Sequence, residues 1–343
     1  MAAYRTIVTA QIEHSYLEQL KKYSEVIVAG WAKTGNLMTE DELIKILEDA
    51  DILIVGYEKV SAEVISSSKK LRLIGCCRSN PVNVDIDAAR SAGIPVLYTP
   101  GRNANSAAEF TMGLILAEIR HIARAYHSLK IGRYLGKPAE RGKLPAKKDV
   151  IWELDGESPY KKFKGFELSG RTLGLIGLGS IGMRLAKLAR AFGMRVVAFD
   201  PYCSEERAGK AHVKLLDLKE VLILSDILSI HCKVTDETIG LIGREQLALM
   251  KPTAYIINTA RAAVIQEDAL IEALQNKMIA GAALDVFWDE PLPANHPLLM
   301  MDNVTITPHL GGASYDVPAR HSQMMIEDVI RWIKNQQPVN VFS

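Results

Sequence analysis

Short apolar runs alternate with amphipathic segments along most of the chain, and this alternation predicts strands followed by helices. In the N-terminal third, strands are expected at Thr6 to Ala10, Val26 to Ala29, Ile52 to Val55, Leu71 to Cys76 and Val96 to Tyr98. Helices are expected between them at Tyr16 to Tyr23, Thr39 to Leu47, Ala62 to Ser66 and Ile86 to Ala92. Strands separated by whole helices are parallel, because a crossover is needed to return the chain to the same edge of the sheet. A single long helix is then expected from Ser106 to Lys130, with Phe110, Leu114, Ile115, Ile119 and Ile122 at helical spacing. From Gly136 to Gly170 the apolar periodicity stops and Lys, Pro and Gly dominate, so this stretch reads as an arm outside the core. The alternation resumes at Leu173 and runs to about Thr307, and a last amphipathic helix is expected from Pro318 to Asn335.

The second alternating stretch echoes the first. Asp49-Ala-Asp-Ile-Leu-Ile54 parallels Leu224-Ser-Asp-Ile-Leu-Ser229, and each is followed by a polar segment, a short helix and another strand. The fold class expected is therefore α/β, with two doubly wound parallel-sheet, Rossmann-like domains. Residues 1–104 plus 315–343 would form a flavodoxin-like substrate domain, the last helix returning to cover it. Residues 105–314 would form the dinucleotide-binding domain, with the arm at about 136–170 and an active-site cleft between the two domains.

The stretch Thr172-Leu-Gly-Leu-Ile-Gly177-Leu-Gly179-Ser180-Ile181-Gly182 gives the second domain its chemistry. An apolar strand runs into three glycines, an amphipathic helix follows from Met183 to Phe192, and a second strand, Val196 to Phe199, ends on Asp200. This is the dinucleotide fingerprint in its full context. Gly177 permits the tight turn, Gly179 lets backbone approach a pyrophosphate, and Gly182 allows helix and strand to pack closely. The helix N-terminus adds free N–H groups and a positive dipole end. Asp200 selects NAD, because a carboxylate accepts from both ribose hydroxyls and repels a 2′-phosphate. Arg207 and Lys210 downstream read as a solvated helix face.

Composition adds mostly exclusions. The chain has 343 residues, 48% hydrophobic and 24% charged, with a net charge of +1, so neither nucleic acid nor an anionic membrane is called for as a partner. No basic segment leads into an apolar one at the start, and no apolar run approaches a membrane span. Cys76, Cys77, Cys203 and Cys232 show no metal or redox spacing, so no metal is expected, and a reducing cytoplasm is the expected compartment.

Three further strands end in polar groups, where ligands bind in open α/β sheets. Ala254-Tyr-Ile-Ile-Asn-Thr259-Ala260-Arg261 ends in an arginine, Ala280 to Phe287 carries Asp285 ahead of Asp289-Glu290-Pro291, and Val304-Thr-Ile-Thr-Pro-His309-Leu-Gly311-Gly312 ends in a histidine before two glycines. With the fingerprint, and with Asp85-Ile-Asp-Ala-Ala and Gly93-Ile-Pro-Val upstream, this set resembles the D-isomer-specific 2-hydroxyacid dehydrogenase family over nearly the whole chain. The resemblance implies hydride exchange between NAD and a D-2-hydroxy acid or its 2-oxo partner. It gives Arg261 the substrate carboxylate and C2 oxygen, His309 the hydroxyl proton, and Glu290 a hydrogen bond that favours a protonated His309. It also implies that Asp285 holds the nicotinamide carboxamide, and that Ser180, Ile181, Cys232, Thr259, Ala260, Gly311 and Gly312 contribute to the cofactor site. A homodimer is expected from the resemblance, with the long helix and arm as a clasp.

The chain departs from the family where a glycine-rich substrate loop is usual. It has Cys77-Arg78-Ser79-Asn80-Pro81 there, and Arg78 with Ser79 and Asn80 points to a substrate bearing extra anionic or hydroxyl groups, such as a sugar-derived or phosphorylated acid, 3-phosphoglycerate among them. Cys232-Lys233-Val234 stands where a Pro-containing turn is common in the family, Ala263 and Gln266 replace a frequent Gly and Asp, and no regulatory domain is expected after Ser343. An NAD-sensing corepressor of the same fold is the alternative from another class, and oxidation of a one-carbon or inorganic anion is the alternative among enzymes.

Overall fold

The structure, a computed structural model, describes residues 4–135 and 158–342. The chain divides into two compact units, one running to Asn103 and taken up again from Ala313, the other spanning Ala104–Gly312. The first unit carries strands β1 (Arg5–Val8), β2 (Glu25–Val28), β3 (Ile52–Val55), β4 (Leu73–Cys76) and β5 (Val96–Tyr98). The second carries β6 (Thr172–Ile176), β7 (Arg195–Phe199), β8 (Lys214–Leu215), β9 (Ile227–Ile230), β10 (Tyr255–Asn258), β11 (Gly281–Leu284) and β12 (Val304–Ile306). Among the described residues these strands pair with one another only in parallel. The sheet orders are β2-β1-β3-β4-β5 and β12-β11-β10-β9-β6-β7-β8, the doubly wound arrangements in which the chain reverses direction beside the first strand of each sheet.

The internal echo has a physical basis. Asp51, just before β3, accepts a hydrogen bond from the backbone N–H of Arg5 at 2.9 Å, at the start of the neighbouring β1. Asp226, just before β9, accepts from the N–H of Thr172 at 2.8 Å, at the start of the neighbouring β6. Each aspartate satisfies the first donor of the central strand beside it, which parallel pairing alone leaves open.

Each sheet is covered on both faces, as an all-parallel sheet requires. In the first unit, Leu43, Leu47, Val64 and Ile65 pack on one face with Ile7, Leu53 and Ile74. On the other, Met325, Ile326 and Val329 of the helix Asp316–Ile333 pack with Val8, Ile52 and Leu73, so the C-terminal tail belongs to this unit. In the second unit, Leu185, Ala186 and Ala189 of the helix Ser180–Ala191 pack beside Ile115 and Ile119 on one face. Cys76 and Cys77 are buried free thiols; burial pushes the first up to about 12 and raises the second as well, so both stay protonated.

Two expectations need correction. The helix Ser106 to Lys130 is two helices, Ala104–Ile119 and Ile122–Lys130, because His121 takes the left-handed conformation at φ 54 and ends the first run. The arm is shorter than expected at its far end: Leu168 is buried in the core of the second unit and the N–H of Phe166 bonds the carbonyl of Ile119. Residues 136–157 of the expected arm lie outside the described residues.

Candidate active site

The carboxyl ends of the second sheet carry two clusters. The first is the glycine turn after β6. Gly177 has φ +97, and a Cβ there would stand 2.7 Å from the backbone nitrogen of Cys232, at the end of neighbouring β9. A Cβ on Gly182 would stand 2.5 Å from the Gly177 carbonyl oxygen, so the helix Ser180–Ala191 starts hard against the strand only because both residues are glycines. Among the described residues, nothing lies within 4 Å of the Cβ position at Gly179 and no side chain caps the helix, so Ser180 and Ile181 stand at an open N-terminus. Asp200 accepts the N–H of Leu178 through one oxygen at 2.7 Å and the N–H of Tyr202 through the other at 2.9 Å. Those bonds fix the carboxylate at the mouth of the turn and leave lone pairs on both oxygens for further donors. The open approach to Gly179, the uncapped N–H groups and the oriented carboxylate fit a dinucleotide. Cys232 is partly buried, and burial, aided by the charge of Asp200, pushes its thiol up to about 11.

The second cluster gathers the ends of β10, β11 and β12. His309 Nδ1 and Glu290 Oε2 are 2.7 Å apart, and the other Glu290 oxygen accepts the N–H of Phe287 at 3.0 Å. Partial burial raises the Glu290 carboxyl, but the bonds from His309 and Phe287, with the charges of His309 and Arg261, outweigh it and hold the group below its ordinary range. Glu290 rather than Asp289 is thus the acid on His309. Arg261 forms no ion pair among the described residues; its exposed guanidinium donates one hydrogen bond, to the carbonyl of Ala260 at 2.6 Å, which leaves further donors for a ligand.

Backbone positions in this cluster are set by two side chains that sequence reasoning did not assign to the task. Asn258, almost wholly buried, takes the N–H of Ala260 at 3.0 Å and gives its amide to the carbonyl of Arg261 at 2.9 Å, clamping the turn that aims the arginine. Thr307 donates to Asp285 Oδ1 at 2.6 Å. Asp285 is fully buried and also accepts the N–H groups of Leu310 at 2.8 Å and Gly311 at 2.7 Å. His309 lies inside that loop with φ 58, a conformation that costs a non-glycine residue about 1–3 kcal/mol and that the Asp285 bonds on either side hold in place. The carbonyl of Gly311 accepts from Ser106 at 2.9 Å, Thr259 bonds Thr111 at 2.7 Å, and Gly312 is half-buried beside them. Thr307 stands inside the motif that holds His309, and Asn258 ends an apolar strand, so both were visible as types, but not as partners.

Arg78, Ser79 and Asn80 lie in the first unit, beyond the carboxyl end of β4. Arg78 lies over the ring of Tyr57 at 5.4 Å, and Tyr57 meets Trp31 edge-on at 4.7 Å. It makes no ion pair among the described residues, so its charge is held by an aromatic face and left open to an anion. Ser79 and Asn80 are exposed.

Known proteins place these features. Residues 112–311 match the model of the D-isomer specific 2-hydroxyacid dehydrogenase NAD binding domain. The chain is 37% identical over 335 residues to a hydroxypyruvate reductase of Thermotoga maritima, covering 96% of this chain and 99% of that one. It is 38% identical over 341 residues to a D-3-phosphoglycerate dehydrogenase of Methanocaldococcus jannaschii, covering 99% of this chain but 59% of that protein. Among solved structures, the TT0316 protein from Thermus thermophilus matches with a TM-score of 0.79 and 34% identity over 99% of this chain and 100% of that one. The chain belongs to the D-isomer-specific 2-hydroxyacid dehydrogenases, oxidoreductases that use NAD.

Proposed function

We propose that this dehydrogenase acts on a D-2-hydroxy acid, or its 2-oxo partner, that carries a further anionic or hydroxyl group. When bound, NAD would accept the hydride leaving C2 of the hydroxy acid, and NADH would return it to C2 of the oxo acid. The observation that carries the catalytic assignment is the 2.7 Å contact of His309 Nδ1 with Glu290. It leaves Nε2 for the substrate oxygen, so His309 takes the hydroxyl proton in oxidation and returns it in reduction, while Glu290 stabilises the charged ring. Arg261, which forms no ion pair among the described residues, grips the carboxylate and polarises the C2 oxygen with a two-pronged donor. Ser180, Ile181 and Gly182 meet the pyrophosphate, Asp200 the ribose, and Asp285 the carboxamide, with Cys232, Thr259, Ala260, Gly311 and Gly312 lining the same site.

Arg78 supports the larger substrate: a guanidinium over the Tyr57 ring, with no ion pair among the described residues, suits a phosphate or second carboxylate, with Ser79 and Asn80 offering hydrogen bonds. NADH oxidation against a panel of 2-oxo acids, with phosphorylated and sugar-derived members beside pyruvate and glyoxylate, tests the class. Arg78→Ala should then weaken use of the doubly anionic acids about ten- to a hundredfold more than that of the small ones, the loss of one charge-assisted hydrogen bond. A uniform loss across the panel would return Arg78 to a supporting role.

A homodimer in the reducing cytoplasm completes the reading. Ile122, Tyr126 and Leu129 fall on one face of the helix Ile122–Lys130 and are each more than half exposed, an apolar stripe suited to a second copy, and all four cysteines are free thiols. Light scattering after size exclusion reads the oligomeric state, and Tyr126→Asp should favour the monomer.

A further inference from the structure

Tyr202 has no packing reason to stand where it does. Its side chain is 81% exposed, yet the residue is tied at both ends. Its N–H donates to Asp200 Oδ1 at 2.9 Å and its phenol donates to Glu237 Oε2 at 2.7 Å. Glu237 belongs to the loop after β9, a turn knit by Thr238, whose hydroxyl accepts from the N–H of Thr235 at 2.8 Å and donates to the carbonyl of Lys233 at 2.6 Å. β7 and β9 flank β6 on opposite sides. The tyrosine therefore bridges the loops on either side of the glycine turn, and it is held there by two carboxylates instead of by a core.

We propose that Tyr202 is a preformed wall of the adenosine site and that Glu237, through its bond to the phenol, is a second acid guarding against a 2′-phosphate. A bound dinucleotide would cross the carboxyl end of β6 with its adenosine toward Asp200. A fixed, solvent-facing aromatic ring beside that carboxylate offers a stacking surface for a purine without ordering a mobile side chain on binding. The Glu237 bond and charge, with Asp200 adding to them, raise the Tyr202 phenol above its ordinary range, so it remains a donor throughout the working pH range. Asp200 alone would face a 2′-phosphate with one negative charge; Glu237, bound to the far end of the Tyr202 side chain, adds another.

The proposal rests on NAD use by this unit, and binding to the full-length protein separates the two. Dissociation constants for NADH, NADPH and AMP, measured by NADH fluorescence titration and calorimetry, are the readout. Tyr202→Ala, at an exposed position, should weaken NADH and AMP in parallel by roughly five- to a hundredfold, the usual effect of losing one base–aromatic stack. Tyr202→Phe keeps the ring but frees it from Glu237, and should fall between. Glu237→Gln still accepts the phenol, so NADH should bind nearly as before while NADPH gains about two- to fivefold. Unchanged NADH and AMP affinity in Tyr202→Ala would end the wall, and an unchanged NADPH-to-NADH ratio in Glu237→Gln would end the guard. An unmodified protein that binds neither dinucleotide would remove the NAD reading along with both.

Discussion

Asp285 is the residue whose replacement separates two roles most cleanly. The family resemblance gives it the nicotinamide carboxamide, whereas its three accepted bonds, from Thr307, Leu310 and Gly311, give it the loop that carries His309. Asp285→Asn keeps the shape. Its single carbonyl oxygen can still take Thr307 and Leu310, but the amide nitrogen then faces the N–H of Gly311, donor against donor, in a site with no exposure. Stranding a buried N–H costs about 1–3 kcal/mol, and converting two charge-assisted bonds to neutral ones adds roughly one more for each. The expected loss is about 3–5 kcal/mol, or a fall in Tm of roughly 6–20 °C for a unit of this size. The released loop lets His309 leave its left-handed conformation, so kcat should fall toward the loss of acid–base catalysis, about 10²–10⁴-fold. Calorimetry, steady-state kinetics and NADH titration on one preparation form the assay. A variant with unchanged Tm but greatly weakened NADH would refute the loop reading and leave Asp285 acting on the cofactor alone.

The remaining predictions concern charge. Asp200→Ala should narrow the preference for NADH over NADPH in a binding titration, and equal affinities in the unmodified protein would contradict the role of the carboxylate. Glu290→Gln removes the ionised partner of His309; reduction needs a proton on the ring, so activity should fall away at lower pH than before, and an unchanged profile would dismiss the dyad. Glu118 is fully buried, and although Arg124 and Thr305 pull its carboxyl down, burial prevails and pushes it up to about 7. Between the ordinary carboxyl range and that value the folded state holds the proton more tightly than the unfolded chain. Stability is therefore full at the acid end and lost as pH rises through neutrality, by an amount of order 3 kcal/mol. Glu118→Gln should flatten that slope, and a parallel slope in thermal melts from pH 5 to 8 would rule Glu118 out as its source.

What could be read from the sequence was whatever depends on neighbours along the chain. The strands announce themselves because buried parallel strands are short apolar runs, and the glycine turn because a left-handed residue and two close approaches demand glycine. The helix break at His121 was hidden for the same reason: Ile119 and Ile122 are three residues apart, a spacing that continues the helical face straight through a residue at φ 54. The helix Gly30–Thr34 opens on a glycine, too short for its periodicity to show. Arg78 was legible as a departure, but its seat on Tyr57 was not, since that contact joins the ends of two strands.

The candidate catalytic cluster depends on register, which no local pattern encodes. Asn258 pairs with Leu284, and Leu284 with Ile306, so β10, β11 and β12 end level with one another. The level ends place the residues just beyond them, Arg261, Asp285 and His309, along one edge of the sheet. Two backbone bonds continue the ladder past the strands, from the N–H of Asp285 to Asn258 at 2.9 Å and from the N–H of Thr307 to Leu284 at 3.0 Å. Beyond that point the side chains of Asn258 and Asp285 take over, the first binding backbone groups of the turn that carries Arg261 and the second those of the turn that carries His309. A slip of one residue in either pairing would turn Asp285 away from the face on which Thr307 and Gly311 meet it. The buried polar groups at these strand ends therefore serve the register and the chemistry together, and replacing them should disturb stability and turnover jointly, whereas replacing Arg261 should disturb turnover alone.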